Sequence, residues 1–292
     1  MDFFTIKDLE NISGIKAHTI RIWEQRYEFL KPNRTDTNIR CYTNEDLKRV
    51  LNIALLNKYG FKISHIDKMN EGEREEKIRS LSDQKAQYER VINDLVKYMI
   101  DVNEEMVEKI LEDHIQQIGV EQTITKVIFP FMEKIGILWV TNHINPAQEH
   151  LVSNLIRQKL IVGIDKVESE VKVNKSVILF LPEGEFHELG LLFVCYLLKR
   201  KGIYPIYLGT NMPLKDVQYL VNFKKPDYIY SHLTSVGKNF SLDKFIADIT
   251  KQITSTPIII SGFLTSGYEK ELPQQIQLKK SLGEVMEFLA GL

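Results

Sequence analysis

The chain has 292 residues, of which 43% are hydrophobic and 26% charged, a composition typical of a globular protein with two or three domains. The formal net charge of −1 gives no sign that the whole chain binds a polyanion, although residues 1–70 carry 12 basic against 9 acidic side chains. Two cysteines, Cys41 and Cys195, indicate a reducing compartment without a disulfide framework. With no signal peptide and no apolar run of about 20 residues, the sequence predicts a cytoplasmic protein without a membrane partner.

Changes in residue pattern divide the chain into three predicted domains, 1–73, 74–170 and 171–292. The first has short helical patterns around a polar stretch, the second is helical throughout, and the third alternates strands with helices. The segments between the predicted domains are charged. Segment 71–77 is interpreted as a linker or a solvated helical turn, and segment 165–175 as a loop before the first strand.

The first domain predicts a helix-turn-helix. Apolar residues at helical spacing begin a helix near Thr5, and Gly14 after it permits a tight turn. A second helix is expected over 16–27, where Ile20 and Trp23 face inward and polar side chains remain outside. Such a second helix can present hydrogen-bond donors to a groove of DNA.

The polar segment 30–42 predicts a two-stranded wing, because it contains a proline and ends in alternating apolar and polar residues. Thr43, with Asp46 three residues later, opens the next helix. Arginines on the wing would meet phosphates, which supply most of the affinity in such complexes. The candidate DNA-binding side chains are His18, Thr19, Arg21, Arg26, Arg34 and Arg40.

Four segments of this region resemble the MerR family of transcription regulators. They are Thr-Ile-Arg-Ile-Trp-Glu-Gln-Arg-Tyr (19–27), Lys-Pro-Asn-Arg-Thr (31–35), Ile-Arg-Cys-Tyr (39–42) and Glu-Asp-Leu (45–47). The resemblance implies a winged helix-turn-helix domain that binds a pseudo-palindromic operator as a dimer. It also implies DNA contacts by Arg21, Arg26, Arg34 and Arg40.

The middle domain predicts a bundle of four amphipathic helices, over 85–100, 103–117, 120–138 and 147–162. Trp139 ends the third helix, and Glu149 and His150 lie in the first turn of the fourth. Taken alone, such a tryptophan usually belongs to a core and a Glu-His pair to a surface. The Trp-x9-Glu-His spacing, however, resembles the CarH- and LitR-type photoreceptor repressors. The resemblance implies that these three residues cap the upper face of adenosylcobalamin and contact its adenosyl group.

One position departs from that subgroup. In its light-sensing members a histidine directly follows the tryptophan and coordinates cobalt after photolysis, whereas this chain has Val140, which cannot coordinate a metal. His143 is nearby on a predicted loop and is given no role. The resemblance therefore implies a cobalamin sensor, while Val140 argues against the bis-histidine photoproduct.

The last domain predicts a flavodoxin-like, doubly wound parallel sheet, because strands and helices alternate with short connections. Ligands of such sheets bind at the carboxyl ends of the strands. The predicted strands are 176–182, 203–209, 227–233, 257–262 and 276–281, and the predicted helices are 187–201, 213–222, 242–251 and 283–289.

Candidate cofactor residues follow three of these strands: Glu185, His187, Gly190, Ser231, Leu233 and Gly262. A histidine on the first loop can reach over the sheet edge, and an acid two residues earlier can orient it and raise its basicity as a metal ligand. A glycine at the start of the following helix lets a bulky group approach. The set is similar to the cobalamin-binding pattern Asp/Glu-x-His-x-x-Gly, Ser-x-Leu, Gly-Gly.

The resemblance implies that His187 is the lower axial ligand of cobalt, in place of the cofactor's own base. Ser231 and Leu233 would then line the slot for the displaced nucleotide tail, called here the tail slot. Phe263 stands where the pattern has its second glycine, which makes room for the tail. His232, inside the Ser-x-Leu element, is given no role.

Three functions remain open. The first is a regulator whose cobalamin sensor controls oligomerisation, as a homodimer or homotetramer, and operator binding. The second is a regulator whose sensor has lost the cofactor and responds to another ligand or to a protein, which Val140 and Phe263 favour. The third is a corrinoid methyl-carrier module, although a methyl carrier needs no DNA-binding head. Because the sequence has no catalytic triad, phosphate loop or paired-carboxylate motif, no other enzyme is predicted.

Overall fold

The computed structural model describes residues 3–140, 144–235 and 240–292. The chain forms two compact units, Met1–Ile156 and Arg157–Leu292. Among the described residues, no helix combines the length and the apolar character needed to cross a bilayer.

The first unit begins with the predicted helix-turn-helix and wing. Its elements are α1 (Ile6–Ser13), α2 (Ala17–Arg26), β1 (Asn33–Arg34), β2 (Arg40–Cys41) and α3 (Asn44–Lys58). Capping boxes at Thr5 and Thr43 fix the starts of α1 and α3, and Gly14 ends α1 in the left-handed conformation with φ of 76°. The two wing strands pair antiparallel. This confirms the winged helix-turn-helix.

The charged segment 71–77, for which a linker and a solvated helical turn were both open, is part of a regular helix. After the short α4 (Ile63–Ile66), α5 spans Glu71–Arg79 and begins with a capping box at Asn70. Arg74 is 7% exposed and donates from Nε to the carbonyl of Ile66 at 3.1 Å. Capping together with one buried face therefore makes a helix of a segment whose charge suggested a linker.

The remaining helices of this unit are α6 (Gln84–Ile100), α7 (Glu104–Thr123), a π-helical turn (Ile124–Ile128), α8 (Phe129–Val140) and α9 (Pro146–Asp165), whose second half belongs to the second unit. The backbone leaves the helical conformation at Gly119, where φ is 79°, within the predicted break between residues 117 and 120. Their buried side chains include Leu95, Val107, Leu111, Ile128, Phe131 and Val152. The predicted helical region is therefore confirmed, with a π-helical turn inside the predicted third helix.

The second unit is a five-stranded parallel sheet flanked by helices. Its strands are β3 (Ser176–Pro182), β4 (Tyr204–Met212), β5 (Tyr228–His232), β6 (Ile258–Ser261) and β7 (Ile276–Lys279), in the order β4-β3-β5-β6-β7. The helices are α10 (Leu189–Arg200), α11 (Leu214–Lys224), α12 (Leu242–Gln252) and α13 (Leu282–Ala290). This order is the predicted flavodoxin-like topology, in which the strand order reverses between β3 and β5.

The core of this unit lies on both faces of the sheet, because successive side chains of a strand point to opposite faces. On one face Ile178, Phe180 and Ile229 form a buried cluster with Val217 of α11 and Ile249 of α12. The two strands beside the reversal point, β3 and β5, are thus both packed into the core. The loops that follow β3 and β5 therefore begin from fixed positions.

Candidate functional site

Glu185 and His187 lie on the loop after β3, beside the point where the strand order reverses. The Glu185 carboxylate is fully buried, and its Oε1 accepts from His187 Nδ1 at 2.7 Å and from the backbone N–H groups of Phe186 and His187. Burial raises the pKa of Glu185, but the hydrogen bonds from His187 and from the backbone of Thr234 and Ser235 outweigh it and lower the pKa to about 2. Glu185 is therefore ionised at neutral pH.

This ionisation determines how His187 can coordinate a metal. A carboxylate only accepts hydrogen bonds, so Nδ1 of His187 donates, and the neutral ring carries its lone pair on Nε2. The His187 side chain is 56% exposed. An imidazole oriented through Nδ1 by a carboxylate is the usual arrangement of a metal-ligating histidine. The donor set therefore fits the cobalt ligand that the resemblance implies.

Glu185 has a second role that the sequence did not indicate. Its Oε2 accepts from the backbone N–H groups of Thr234 at 2.7 Å and Ser235 at 2.9 Å, which ties the loop after β3 to the segment after β5. Asn211, at the end of β4, accepts from the backbone of Gly184 at 2.9 Å. No local pattern predicts these bonds, because the partners are brought together only by the sheet.

The sequence also gave no sign of the role of Glu188, which directly follows His187. One of its carboxylate oxygens accepts from Arg157 Nε, and the other accepts from the Tyr207 hydroxyl at 2.6 Å. Burial and this carboxylate together raise the pKa of Tyr207. Glu188 thus joins the end of the histidine loop to the second half of α9 and to β4.

The Ser-x-Leu element and Gly262 lie together at the ends of β5 and β6. Ser231 is fully buried, and its hydroxyl has no hydrogen-bond partner among the described residues. A buried hydroxyl without a partner costs about 1–3 kcal/mol, so it is available to a polar ligand atom. Gly262 has φ of 102°, and a Cβ there would lie 2.3 Å from the carbonyl oxygen of Leu233. Only glycine fits at this position.

The space beside Gly190, in contrast, is already filled. A Cβ added to Gly190 would lie 2.4 Å from Nε2 of His232, so the group that the glycine admits is a side chain of the same chain. Nδ1 of His232 is 2.8 Å from the Ser261 hydroxyl, which also bonds the Tyr230 hydroxyl at 2.6 Å. Phe263 is 75% exposed, so its ring lies at the surface of the unit.

The three predicted cap residues belong to the first unit. Trp139, near the end of α8, is 45% exposed, which separates it from an ordinary core tryptophan. His150 Nδ1 lies 2.9 Å from Glu149 Oε2 in the first turn of α9, and the His150 side chain is 69% exposed. His143 lies outside the described residues. The structure thus pairs Glu149 with His150 and leaves the indole accessible.

The candidate DNA-binding residues lie on α2 and on the wing. Among these candidates four side chains are exposed, those of His18, Arg21, Arg26 and Arg34. The other two, Thr19 and Arg40, are partly buried. Arg40 donates from Nε to Oε2 of Glu24 at 2.8 Å, and the Tyr42 hydroxyl donates to the other oxygen of Glu24. Arg40 therefore braces the wing against α2 in addition to any phosphate contact.

Comparison with known proteins gives two family matches, both within residues 4–162. Residues 4–73 match the MerR HTH family of regulatory proteins, and residues 91–162 match the B12 binding domain. The HTH-type transcriptional repressor CarA of Myxococcus xanthus is 26% identical over 88% of this chain and 85% of its own length. The repressor CarH of the same organism is 27% identical over 77% of each chain.

A solved structure supports the fold alone. The monomethylamine corrinoid protein of Methanosarcina barkeri superimposes with a TM-score of 0.52 at 14% identity, over 70% of this chain and 99% of its own. The chain is thus homologous to the CarA and CarH repressors over most of its length, and it has a MerR-type helix-turn-helix followed by a B12-binding domain.

Proposed function

We propose that this chain, in which a MerR-type DNA-binding domain precedes a B12-binding domain, is a cobalamin-sensing transcription regulator and not an enzyme. Its homologues CarA and CarH are transcriptional repressors, which supports a regulatory role. We assign residues 1–73 to operator binding, 74–170 to a helical cap and 171–292 to the corrinoid-binding sheet. Because it acts on DNA, we expect it in the cytoplasm.

The observation that carries the proposal is the Glu185–His187 pair at the point where the strand order reverses. A buried carboxylate holds the imidazole through Nδ1 at 2.7 Å, and this orients Nε2 as a donor to a metal. The unpartnered hydroxyl of Ser231 lies at the end of the adjacent strand. Ligand sites of this fold occur at this edge of the sheet.

In this proposal each group has one task. His187 would hold the cobalt, Glu185 would fix its tautomer, Ser231 and Leu233 would line the tail slot, and Gly190 and Gly262 would belong to the same cofactor site. Trp139, Glu149 and His150 would be the cofactor contacts supplied by the helical domain, and adenosylcobalamin is the expected form. When bound, the corrinoid supplies a cobalt–carbon bond that light can break. The DNA contacts are those of His18, Thr19, Arg21, Arg26, Arg34 and Arg40.

Regulation would follow from linkage. A ligand that binds one conformation of the chain more tightly than another increases the population of the tighter-binding conformation. The size of this shift is set by the difference between the two affinities. We propose that the loaded chain is a homotetramer and the free chain a smaller oligomer, so that the cofactor changes the number and spacing of DNA heads.

The test is direct. Purified protein is mixed with adenosylcobalamin in the dark and desalted, and its visible spectrum is recorded. We expect retained corrinoid for the wild type and an altered spectrum with weaker retention for His187→Ala. His65→Ala, at an exposed position in α4, is the matched control and should behave as wild type. A wild-type protein that retains no corrinoid would contradict the proposal.

A further inference from the structure

A cavity of about 350 Å³ lies inside the first unit, where helices of the DNA-binding domain meet the helices that follow it. Residues of α1 and α3 form part of its wall, and residues of α6 and α8 form another part. Buried apolar side chains in this wall include those of Ile12, Leu51, Leu55 and Ile92. Exposed lining residues, among them Gly14 and Lys58, leave an entrance from solvent. Small-molecule sites are cavities of about 300–1,000 Å³ with mostly apolar walls and a few polar groups.

The wall of this cavity contains a lysine whose hydrogen-bond acceptor is neutral. Lys134 on α8 is partly buried, and its Nζ donates to Oδ1 of Asn93 on α6 at 2.7 Å. Burial lowers the pKa of Lys134 to about 8, while the charge of Glu89 raises it and that of Lys58 lowers it. These two charges largely cancel at Lys134, because Glu89 and Lys58 form an ion pair with each other at 2.6 Å. Within the described part of the chain, no carboxylate forms an ion pair with Lys134.

This arrangement favours a negatively charged ligand with an apolar body. The ammonium of Lys134 has three donors, and Asn93 accepts from one of them. A ligand carboxylate beside Nζ would accept a charge-assisted hydrogen bond and supply the missing countercharge. The buried apolar side chains around it would take up a hydrocarbon group, which favours an organic carboxylate over an inorganic anion.

We propose that this cavity is a second ligand site, which binds a small organic carboxylate through Lys134 and thereby modulates DNA binding. The ligand would contact α1 and α3 of the DNA-binding domain together with α6 and α8, so it would favour the conformation in which these helices enclose it. The site uses none of the residues assigned to the corrinoid. Its test therefore needs no corrinoid, and failure of one proposal leaves the other intact.

The first experiment uses octanoate as the probe on the full chain without corrinoid. Isothermal titration calorimetry at pH 7 compares it with octan-1-ol, which lacks the charge, and with acetate, which lacks the long hydrocarbon chain. We expect saturable binding of octanoate, and affinities at least about tenfold weaker for the other two compounds. Absence of saturable octanoate binding, or equally tight binding of either comparison compound, would overturn the proposal.

Substitutions test whether octanoate binds in this cavity. Lys134→Met removes the charge but keeps a long side chain, and it should weaken octanoate binding at least about tenfold without lowering the melting temperature. Ala54→Leu on α3 fills part of the cavity and should weaken binding as well. Lys126→Met changes an exposed lysine outside the cavity wall and, as the matched control, should bind octanoate like the wild type. Wild-type affinity in Lys134→Met would refute the proposal.

The pH dependence of binding gives a readout that a purely structural role of Lys134 would not produce. Octanoate affinity should fall at least about fivefold between pH 7 and pH 9.5, because the carboxylate binds the protonated ammonium, which loses its proton near pH 8. The other charged side chains of the wall, Lys58, Glu89 and Glu133, are retained in Lys134→Met, so any effect of theirs persists there. An equal fall in the wild type and Lys134→Met would contradict the proposal.

The effect on DNA binding is measured with DNA selected from a random library. Octanoate at about ten times its wild-type dissociation constant should change the DNA affinity of the wild type at least about threefold, and that of Lys134→Met much less. An unchanged DNA affinity in the wild type would refute the proposed modulation.

Discussion

At the scale of single residues, Glu185 contributes more than its sequence position suggests. The spacing Glu-x-His predicts a carboxylate that orients an imidazole. The fold adds backbone donors from the segment after β5, so one buried side chain fixes both His187, the histidine proposed to hold cobalt, and the two loops at the reversal point. Its charge is stabilised by these donors, and this gives it a pH-dependent effect on stability.

We expect Glu185 to stabilise the fold above about pH 4.5 and to lose this effect as the pH falls toward 2. Its pKa is about 2 in the folded chain against 4.5 for an unperturbed glutamate, so the folded state binds the proton less readily. The difference corresponds to about 3 kcal/mol of unfolding free energy, of which about 2 kcal/mol is lost by pH 3. Urea titrations at pH 6 and pH 3, followed by circular dichroism, measure it.

Two variants isolate this effect. Glu185→Gln should cost about 1–3 kcal/mol at pH 6, because buried donors lose an acceptor, and should show a smaller further loss at pH 3. Glu183→Gln changes an exposed carboxylate of the same loop and should follow the wild type. The same pH dependence in wild type and Glu185→Gln would contradict the assignment.

At the scale of elements, the wing is held to α2 by one carboxylate. Glu24 is 7% exposed and binds both Arg40 and Tyr42, the residues that begin and follow β2. The N-terminal segment extends this arrangement, because Phe4 and Tyr42 exchange two backbone hydrogen bonds. The position of the wing against α2 therefore depends on side chains of α2 as well as on the wing's own turn.

We predict that Glu24→Ala lowers the unfolding free energy of the DNA-binding domain, residues 1–73, by about 1–3 kcal/mol, because the buried Tyr42 hydroxyl loses its partner. DNA binding should weaken as well, since the wing and α2 no longer hold one geometry. Fluorescence of Trp23 on α2 in urea and binding to DNA selected from a random library measure the two effects. Glu28→Ala is the control, because Glu28 is 82% exposed in a surface ion pair with Lys31. A loss of similar size for both variants would argue against this role.

At the scale of the whole molecule, the chain joins a DNA-binding head to a B12-binding domain, and it is homologous over most of its length to two repressors. A DNA-binding protein needs no B12-binding domain, and a B12-binding protein needs no DNA-binding domain. Their combination makes sense if the ligand alters how many heads meet DNA together. Oligomeric state is therefore the property in which regulation should be visible.

We expect adenosylcobalamin in the dark to increase the sedimentation coefficient of the full chain, as free protein assembles into tetramers. His187→Ala should reduce the increase, because it weakens cofactor binding. Illumination should reverse it as the cobalt–carbon bond breaks, without a bis-histidine product, since Val140 offers no ligand. Sedimentation velocity in the dark and after illumination measures each step. An unchanged coefficient in saturating cofactor would exclude control through assembly.

The sequence by itself determined the winged head, the helical region and the parallel sheet, because hydrophobic periodicity and capping residues are local signals. Each of the five predicted strands overlaps an observed one. At 71–77 the charge pattern left a linker and a helical turn both open, and the capped α5 with its buried Arg74 decides for the helix. The predicted loop position of Glu185 and His187 also followed from the strand-helix alternation.

Only the tertiary structure decided what these residues touch. The bonds from Glu185 to Thr234 and Ser235, and the contact of His232 with Gly190, join positions about 40 to 50 residues apart and depend on the pairing of β3 with β5. Sequence spacing fixes the distance between residues along a helix or strand, but not which side chain from another strand fills a space beside a glycine. That is set by close packing, which acts between residues wherever the fold brings them into contact.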